Sequence, residues 1–150
     1  MANETVFKRY HGNPIVTSKA VPRANSIHNS AIVKYGKEYR GIFRVDETDL
    51  RFRLHLGKSK DGIRWDIDPK EIKLVKAHPE LPSEDLMYDP RLTRIGDTFY
   101  FTWCNHSAHG PYIGLATTKD FKSFKYLDIP LPPANRNCVI FPEKINGKFA

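Results

Sequence analysis

The sequence predicts an all-β fold of the β-propeller type, and three observations carry this prediction. Gly36, Gly96 and Gly147 each separate an apolar segment from an aromatic one, so the same arrangement occurs three times along the chain. A Lys-Asp turn recurs in phase with them, with Ser59 and Thr118 at matching places before it. Finally, no segment has the pattern of an amphipathic helix longer than two turns. Four short antiparallel strands in a unit of about 50 residues are typical of a propeller blade.

The predicted elements follow the repeat along the chain. Residues 12–16 read as a turn leading into a short strand, and residues 21–26 read as a loop. From Asn29 onwards each unit has the order strand, Gly turn, aromatic strand, loop, strand, Lys-Asp turn and outer strand. Residues 69–76 are compatible with either a helix or a strand.

The aromatic residues of the repeat are expected to form the cores of the blades, since they fall at its structural positions. They are Trp65, Phe99, Tyr100, Trp103 and Phe124. Asp61 and Asp120 recur with the repeat and are interpreted as turn formers. Cys104 and Cys138 form no CxxC pair and have no His at ligand spacing. Both are therefore predicted to be free thiols in strands, without structural zinc or a disulfide.

Length and composition indicate one folded domain, residues 1–150. Hydrophobic residues make up 40%, aromatic residues 12% and charged residues 27% of the chain. The net charge of +7 is spread along the sequence, which suits small anions as well as nucleic acid. No nucleic-acid-binding motif accompanies the charge, so nucleic acid is not expected as a partner. The sequence contains no run of about 18 apolar residues and no apolar leader, so we expect a cytoplasmic protein without a membrane partner.

Asp89 is the strongest catalytic candidate in the sequence. Pro90 restricts the backbone of the preceding residue, so Asp89 is expected in an extended or bridging conformation that aims its carboxylate in one direction. A fixed carboxylate is what acid catalysis requires. An isolated Asp-Pro is more often a simple turn, but here a predicted hairpin follows at residues 95–103, with its turn at Gly96.

Five motifs together resemble one family, the five-bladed propeller glycoside phosphorylases of family 130. The motifs are Asn29-Ser30-Ala31, Gly41-Ile42-Phe43-Arg44-Val45-Asp46, Tyr88-Asp89-Pro90-Arg91-Leu92 and residues 114–121 and 135–145. They stand in the family's order. The resemblance implies that the chain is truncated and supplies about the first two to two and a half blades of a five-bladed propeller. Because an open propeller exposes a sheet edge, self-association into a homo-oligomer is expected.

The resemblance implies reversible phosphorolysis of a β-mannosidic bond with inversion. Inorganic phosphate would be the co-substrate, a β-1,4-mannooligosaccharide or mannosyl-glucose the substrate, and α-mannose 1-phosphate the product. No metal or organic cofactor is implied. An inverting hydrolase needs two carboxyl groups, one of which activates water. Phosphate is already an anionic nucleophile, so one carboxyl group and a set of cations that hold the phosphate are enough.

Matched motifs also imply roles for individual residues. Asp89 corresponds to the family's proton donor, which is thought to reach the glycosidic oxygen through a hydroxyl of the bound mannose. Tyr88 is assigned to the pocket wall beside Asp89, and Arg136 to the phosphate. The residues assigned to the mannosyl sugar beside the cleaved bond are Asn29, Ser30 and Arg44.

Each assignment has an ordinary alternative. Asn29 and Ser30 open a predicted strand, where such residues commonly satisfy a turn. Arg44 has Asp46 close by as a partner for a surface ion pair. Arg136 lies in a predicted loop, where binding groups are common, so a functional role is favoured for it even without the resemblance.

The sequence assigns fewer residues to the acceptor side of the binding site than to the mannosyl side. His106 and His109 lie in a predicted loop and could line it, but loop histidines are more often exposed, so they are left out of the catalytic set. The sequence does not indicate whether the linkage is 1,4 or 1,2.

Two other functions remain open. The first is a propeller glycoside hydrolase that acts on β-mannosides with water, which a phosphate-independent rate would reveal. The second is an inactive truncated fragment or carbohydrate-binding remnant.

Overall fold

The computed structural model describes residues 7–150, so residues 1–6 of the predicted domain lie outside it. A short 3-10 turn (Ser18–Ala20) precedes the strands. The first sheet contains β1 (Ala24–Tyr35), β2 (Glu38–Glu47), β3 (Phe52–Ser59) and β4 (Asp66–Glu71). The second sheet contains β5 (Leu74–Lys76), β6 (Tyr88–Ile95), β7 (Thr98–Ser107), β8 (Gly110–Thr118) and β9 (Phe124–Asp128). The first sheet has the order β1-β2-β3-β4 and the second the order β5-β9-β8-β7-β6.

The all-β prediction is confirmed, and the predicted glycine turns join the predicted strands. Gly36 and Gly96 lie in the two-residue turns of the β1–β2 and β6–β7 hairpins, with φ of 60° and 61°. Turns of this kind require positive φ, which glycine adopts without strain. At Gly147 the third turn closes an isolated bridge between Ile145 and Lys148. Residues 7–150 therefore form two sheets and do not close a propeller ring.

Asp61 and Asp120 form turns in the described part of the chain, in agreement with their interpretation. Asp61 Oδ1 accepts hydrogen bonds from the backbone N–H groups two and three residues later, at 2.9 and 2.8 Å. Asp120 Oδ1 does the same at 2.8 and 3.1 Å. These bonds lower the pKa of both carboxyl groups. Because equivalent bonds recur at matching places in the two units, the sequence repeat is also a structural repeat.

The main core lies between the two sheets. Ile42 and Leu54 of the first sheet pack with Phe101 and Trp103 of the second, and all four side chains are buried. Of the predicted core aromatics, Phe99, Trp103 and Phe124 are buried, and Trp65 and Tyr100 are half-buried. A smaller apolar cluster is formed by Phe43, Val45 and Ile67 of the first sheet together with Val21, which precedes β1. Within residues 7–150 no helix is long and apolar enough to cross a bilayer.

Two local predictions are decided by the strand pairing. Residues 69–76 are extended rather than helical, because β4 ends at Glu71 and β5 pairs in parallel with β9. Cys104 and Cys138 are both free, and Cys104 lies in β7 as predicted. The prediction of a strand at Cys138 was wrong. Its carbonyl accepts a hydrogen bond from the Thr102 side chain, at 2.6 Å, instead of joining a backbone ladder.

Candidate active site

Asn29 and Asp89 occupy equivalent places in the first long strand of each sheet. They are 60 residues apart, and both have left-handed backbones, with φ of 47° and 50°. Each lies where a bulge shifts the strand register, in β1 and in β6 respectively. Asn and Asp are among the few non-glycine residues that tolerate this conformation. A bulge re-aims its side chain, and here both side chains turn toward each other.

The predicted extended or bridging backbone at Asp89 was wrong. Its φ is 50°, although Pro90 follows. A left-handed residue costs about 1–3 kcal/mol, so it must be compensated by its surroundings. Hydrogen bonds from Asn29 and Arg44 to the carboxylate provide this compensation, since bonds to a charged group each contribute about 1.5–3 kcal/mol.

One oxygen of Asp89 is held and the other is open. Asp89 Oδ1 accepts hydrogen bonds from Asn29 Nδ2 at 2.9 Å and from Arg44 Nη1 at 2.8 Å. Within residues 7–150, Oδ2 accepts none. Burial raises the pKa of Asp89, but the bonds from Asn29 and Arg44 and the charge of Arg44 outweigh it and hold the pKa below its ordinary value of 3.8. The carboxylate is therefore ionised at neutral pH.

Arg44 links Asp89 to a second carboxylate. Its Nε and Nη2 donate to the two oxygens of Asp46 at 2.7 and 3.0 Å, in a bidentate pair. The guanidinium lies over the rings of Phe52, at 4.7 Å, and Tyr88, at 5.4 Å. The ion pair with Asp46, considered above as an alternative to a functional role, is thus formed together with the Asp89 contact. We call Asn29, Arg44, Asp46 and Asp89 the carboxylate cluster.

Tyr88 connects this cluster to Arg136. Tyr88 is 2% exposed, and the Arg136 guanidinium lies over its ring at 5.4 Å. His106 stacks on the same ring, with centroids 5.2 Å apart. Among the described residues the Tyr88 hydroxyl has no hydrogen-bond partner. Burial raises the pKa of Tyr88, which therefore stays protonated.

Ser30 is not brought into the carboxylate cluster. It lines a separate cavity of about 700 Å³ together with Phe43 and Trp65, at the other face of the first sheet. His109 is exposed in the β7–β8 turn, where its backbone N–H donates to Ser107 Oγ at 3.2 Å. Residues 7–150 contain no group of three or more His, Cys, Asp or Glu that could hold a metal ion.

Three residues that were not assigned from the sequence contact the assigned ones. They are Asp46, Phe52 and His106. The sequence already offers Asp46 as an ion-pair partner of Arg44 and His106 as a possible acceptor-side residue, and two further signals connect them to the site. Asp46 lies two residues after Arg44, so both side chains share one face of a strand, and His106 stands at the place in the second unit that Asp46 occupies in the first. Phe52 gave no signal, because its position depends on the β2–β3 register.

A family model described as beta-1,4-mannooligosaccharide phosphorylase matches residues 3–150. The chain belongs to glycoside hydrolase family 130. A beta-1,4-mannooligosaccharide phosphorylase of Ruminococcus albus is 45% identical over 96% of this family-130 chain. A beta-1,2-mannobiose phosphorylase of Listeria innocua is 35% identical over 64% of it. The chain covers 45% and 26% of these two relatives, which is less than half of either.

Solved structures share the fold of this family-130 chain. The beta-1,2-mannobiose phosphorylase from Listeria innocua, in complex with beta-1,2-mannobiose, superposes with a TM-score of 0.76 at 23% identity. The match covers 94% of this chain and 56% of that chain. A structure described for family-130 glycoside hydrolases that target beta-1,2 mannosidic linkages in Candida mannan superposes with a TM-score of 0.66 at 18% identity. The match covers 80% of this chain and 40% of that chain. The resemblance drawn from the five motifs is thus confirmed at the level of the family.

Acid is expected to destabilise the fold through Asp89. Its pKa is lower in the folded chain than the ordinary 3.8, so its ionisation contributes stability above pH 3.8 that is lost as the pH falls through the folded pKa. Urea unfolding at pH 7, 4 and 3 measures the free energy of unfolding. This free energy should therefore fall less on acidification in Asp89→Asn than in the wild type. Asp97→Asn, an exposed change in the turn of the same hairpin, should lose as much free energy of unfolding as the wild type. Equal acid losses in all three proteins would contradict the role of Asp89.

Proposed function

We propose that this polypeptide cleaves a β-mannosidic bond, in a β-1,4-mannooligosaccharide or mannosyl-glucose, with inorganic phosphate and inversion to give α-mannose 1-phosphate. The observation that carries the proposal is the Asp89 carboxylate, held at one oxygen by Asn29 and Arg44 and open at the other. Family membership supports the reaction class. We also propose that residues 1–150 are the N-terminal part of one five-bladed propeller domain.

As far as residues 7–150 show, the carboxylate cluster fits phosphate better than water as the nucleophile. An inverting hydrolase needs a second carboxylate to activate water. Asp46 is the other carboxylate of the cluster, but both its oxygens accept hydrogen bonds from Arg44. Asp46 is therefore not available as a base. A nucleophile that is already anionic needs no base, and phosphate meets this condition.

Asp89 has a different proposed role in each direction of the reaction. In the synthetic direction the ionised carboxylate acts as the base that withdraws a proton through a sugar hydroxyl. In phosphorolysis the same group must carry that proton. A phosphate anion bound nearby raises the pKa of a carboxyl group by like-charge repulsion, so phosphate binding itself favours the protonated form. Asn29 and Arg44 hold one oxygen of the Asp89 side chain and leave the other oxygen for the proton.

Arg136 is the proposed phosphate ligand. Its side chain is exposed, and no carboxylate of residues 7–150 forms an ion pair with it. Tyr88 supports its guanidinium from one face, at 5.4 Å from the ring. A planar guanidinium binds phosphate oxygens bidentately, and its planar stacking reduces the entropy lost on binding.

Replacing Arg136 by Ala is expected to raise the KM for phosphate by about tenfold or more, since a charge-assisted hydrogen bond contributes about 1.5–3 kcal/mol. The KM for the mannoside should change much less. Initial rates at varied phosphate and varied mannoside separate the two effects. Arg94→Ala is the matched control, because Arg94 also lies over an aromatic ring, Phe99 at 5.5 Å, but at the opposite end of β6. Equal rises in both constants would remove Arg136 from the phosphate site.

The same initial-rate measurements also test two other candidate functions. Hydrolysis is favoured by the structural likeness to family-130 hydrolases, and it would release mannose without phosphate. The other candidate is carbohydrate binding without turnover. It would show mannoside binding and no product.

A further inference from the structure

We infer that Asn105 is a positioning residue for the proposed reaction, and that it holds both the chain segment that leads into Asp89 and the aromatic wall beside that carboxylate. Asn105 is a buried residue of β7. The inference rests on the proposed function, in which Asp89 transfers the proton.

Asn105 lies where the pairing between β6 and β7 ends. The last pair of this ladder joins Tyr88 to Cys104, so among residues 7–150 β7 pairs beyond this point with β8 alone. The chain before Tyr88, residues 77–87, is irregular and connects β5 to β6. Side-chain contacts must therefore fix the direction in which this segment enters β6.

The side-chain amide of Asn105 makes such contacts. Its Nδ2 donates hydrogen bonds to the carbonyl oxygen of Ser83 at 3.0 Å and to the hydroxyl oxygen of Tyr112 at 2.8 Å. The Tyr112 hydroxyl donates in turn to the same Ser83 carbonyl, at 3.0 Å. Burial raises the pKa of Tyr112 to about 12, so this hydroxyl keeps its proton at neutral pH. Two donors thus hold the Ser83 carbonyl, five residues before Tyr88.

The oxygen of the Asn105 amide holds the residue that stacks on Tyr88. Asn105 Oδ1 accepts a hydrogen bond from the backbone N–H of His106 at 2.9 Å. The His106 ring stacks on the Tyr88 ring, with centroids 5.2 Å apart. Tyr88 also lies under the guanidinium of Arg136 and directly precedes Asp89. Asn105 therefore acts on Tyr88 in two ways, through the chain before it and through the ring that packs on it.

The hydrogen bonds of the Asn105 amide use both of its ends. A side-chain amide has two N–H donors and one acceptor oxygen. Here both donors face oxygens and the acceptor faces an N–H group. Asn105 is 1% exposed, so water has little access to replace a lost bond. A side chain of similar size without an amide would leave the His106 N–H and one donor place at the Ser83 carbonyl unfilled, and both segments would be free to shift.

Asn105→Leu keeps the approximate shape of the side chain and removes its hydrogen bonds. It is expected to lower kcat by about 10- to 100-fold, since a displacement of about 1 Å at a catalytic group has an effect of this size. The KM for the mannoside should change by less than about threefold, because the residues assigned to the mannosyl sugar belong to the first sheet. Initial rates with β-1,4-mannobiose and phosphate measure both constants.

Thr118→Val is the matched control. Thr118 is also a buried polar residue of the second sheet, and its Oγ1 accepts a hydrogen bond from the backbone N–H of Phe121 at 2.9 Å. It lies at the opposite end of the β7–β8 hairpin, where it pairs with Phe99. The change should lower the urea concentration at the unfolding midpoint, as Asn105→Leu does, but leave kcat within about twofold of the wild type. Equal kcat values in the two variants would show a role in stability alone and would overturn the inference.

Proton NMR tests the placement of the aromatic wall without turnover. The ring protons of His106 lie against the face of Tyr88 and should be shifted upfield in the wild type, with the signal identified by its loss in His106→Gln. The signal should move toward that of an unstacked histidine in Asn105→Leu and stay in place in Thr118→Val. Asn105→Ser replaces the Leu variant if that variant does not fold, because a serine hydroxyl is too short for the same bonds. An unmoved His106 signal in a folded Asn105 variant would overturn the inference.

The two measurements separate the role of Asn105 from the proposed function. Failure of the wild type to form mannose 1-phosphate would overturn the proposed function and the role of Asn105 in it. Turnover by the wild type, with kcat and the His106 signal unaltered in the Asn105 variant, would overturn the role of Asn105 alone and leave phosphorolysis intact.

Discussion

The Asp89→Asn variant is expected to form mannose 1-phosphate about 10²–10⁴-fold more slowly than the wild type, which is the usual contribution of general acid–base catalysis. Asn has nearly the shape of Asp but carries no proton that it can transfer. Its oxygen still accepts the bonds that Asn29 and Arg44 donate to Asp89 Oδ1. The loss should therefore fall on kcat rather than on the KM for either substrate. Initial rates with β-1,4-mannobiose and phosphate measure it.

The backbone conformation at position 89 should be kept in this variant. Asp89 has φ of 50°, a conformation that Asn adopts at least as readily as Asp, so the bulge in β6 is kept. Asp97→Asn repeats the substitution in the exposed turn of the same hairpin and should leave the rate within about twofold of the wild type. A rate in Asp89→Asn equal to that of Asp97→Asn would exclude Asp89 as the proton-transferring group.

The Arg44→Met variant is expected to lower the free energy of unfolding by about 3 kcal/mol, as removal of one partner from a largely buried ion pair does. Met keeps an unbranched apolar stem between the two aromatic rings but leaves Asp46 and Asp89 without their shared cation. The side chains of these carboxylates are only 19% and 12% exposed, so water compensates them in part. Urea unfolding at pH 7 measures the loss.

Arg40→Met is the matched control for this experiment. Arg40 lies in the same strand, pairs with Glu38 two residues away at 2.8 Å, and lies over the Tyr35 ring at 5.1 Å. It therefore reproduces the local surroundings of Arg44, but Glu38 is 40% exposed and no second carboxylate of the described chain depends on Arg40. A much smaller loss of stability is expected. Equal losses in the two variants would show that the bridge to Asp89 adds nothing to the local ion pair.

The strands were predictable from the sequence because their signals are local. Gly36 and Gly96 have turn conformations that need positive φ, and Asp61 and Asp120 bind backbone N–H groups within three residues of themselves. The five motifs also led to the family that the comparisons confirm. A five-bladed ring remains a prediction, since the described residues contain two sheets.

The geometry at Asp89 was not predictable in the same way. Pro90 alone predicts an extended or bridging backbone for Asp89, which is wrong because a bulge and contacts with the first sheet decide the conformation. The interval of 60 residues between Gly36 and Gly96 also separates Asn29 from Asp89. It did not reveal that the two side chains meet, since that depends on how the sheets pack against each other.

The proposed role of Asp89 and its surroundings is phosphorolysis of a β-mannoside. It is tested most directly by incubating the chain with β-1,4-mannobiose, with and without inorganic phosphate, and identifying the products by phosphorus and proton NMR. We expect α-mannose 1-phosphate that forms only when phosphate is present. Free mannose released at the same rate without phosphate, or no product under conditions in which mannobiose binds, would contradict it.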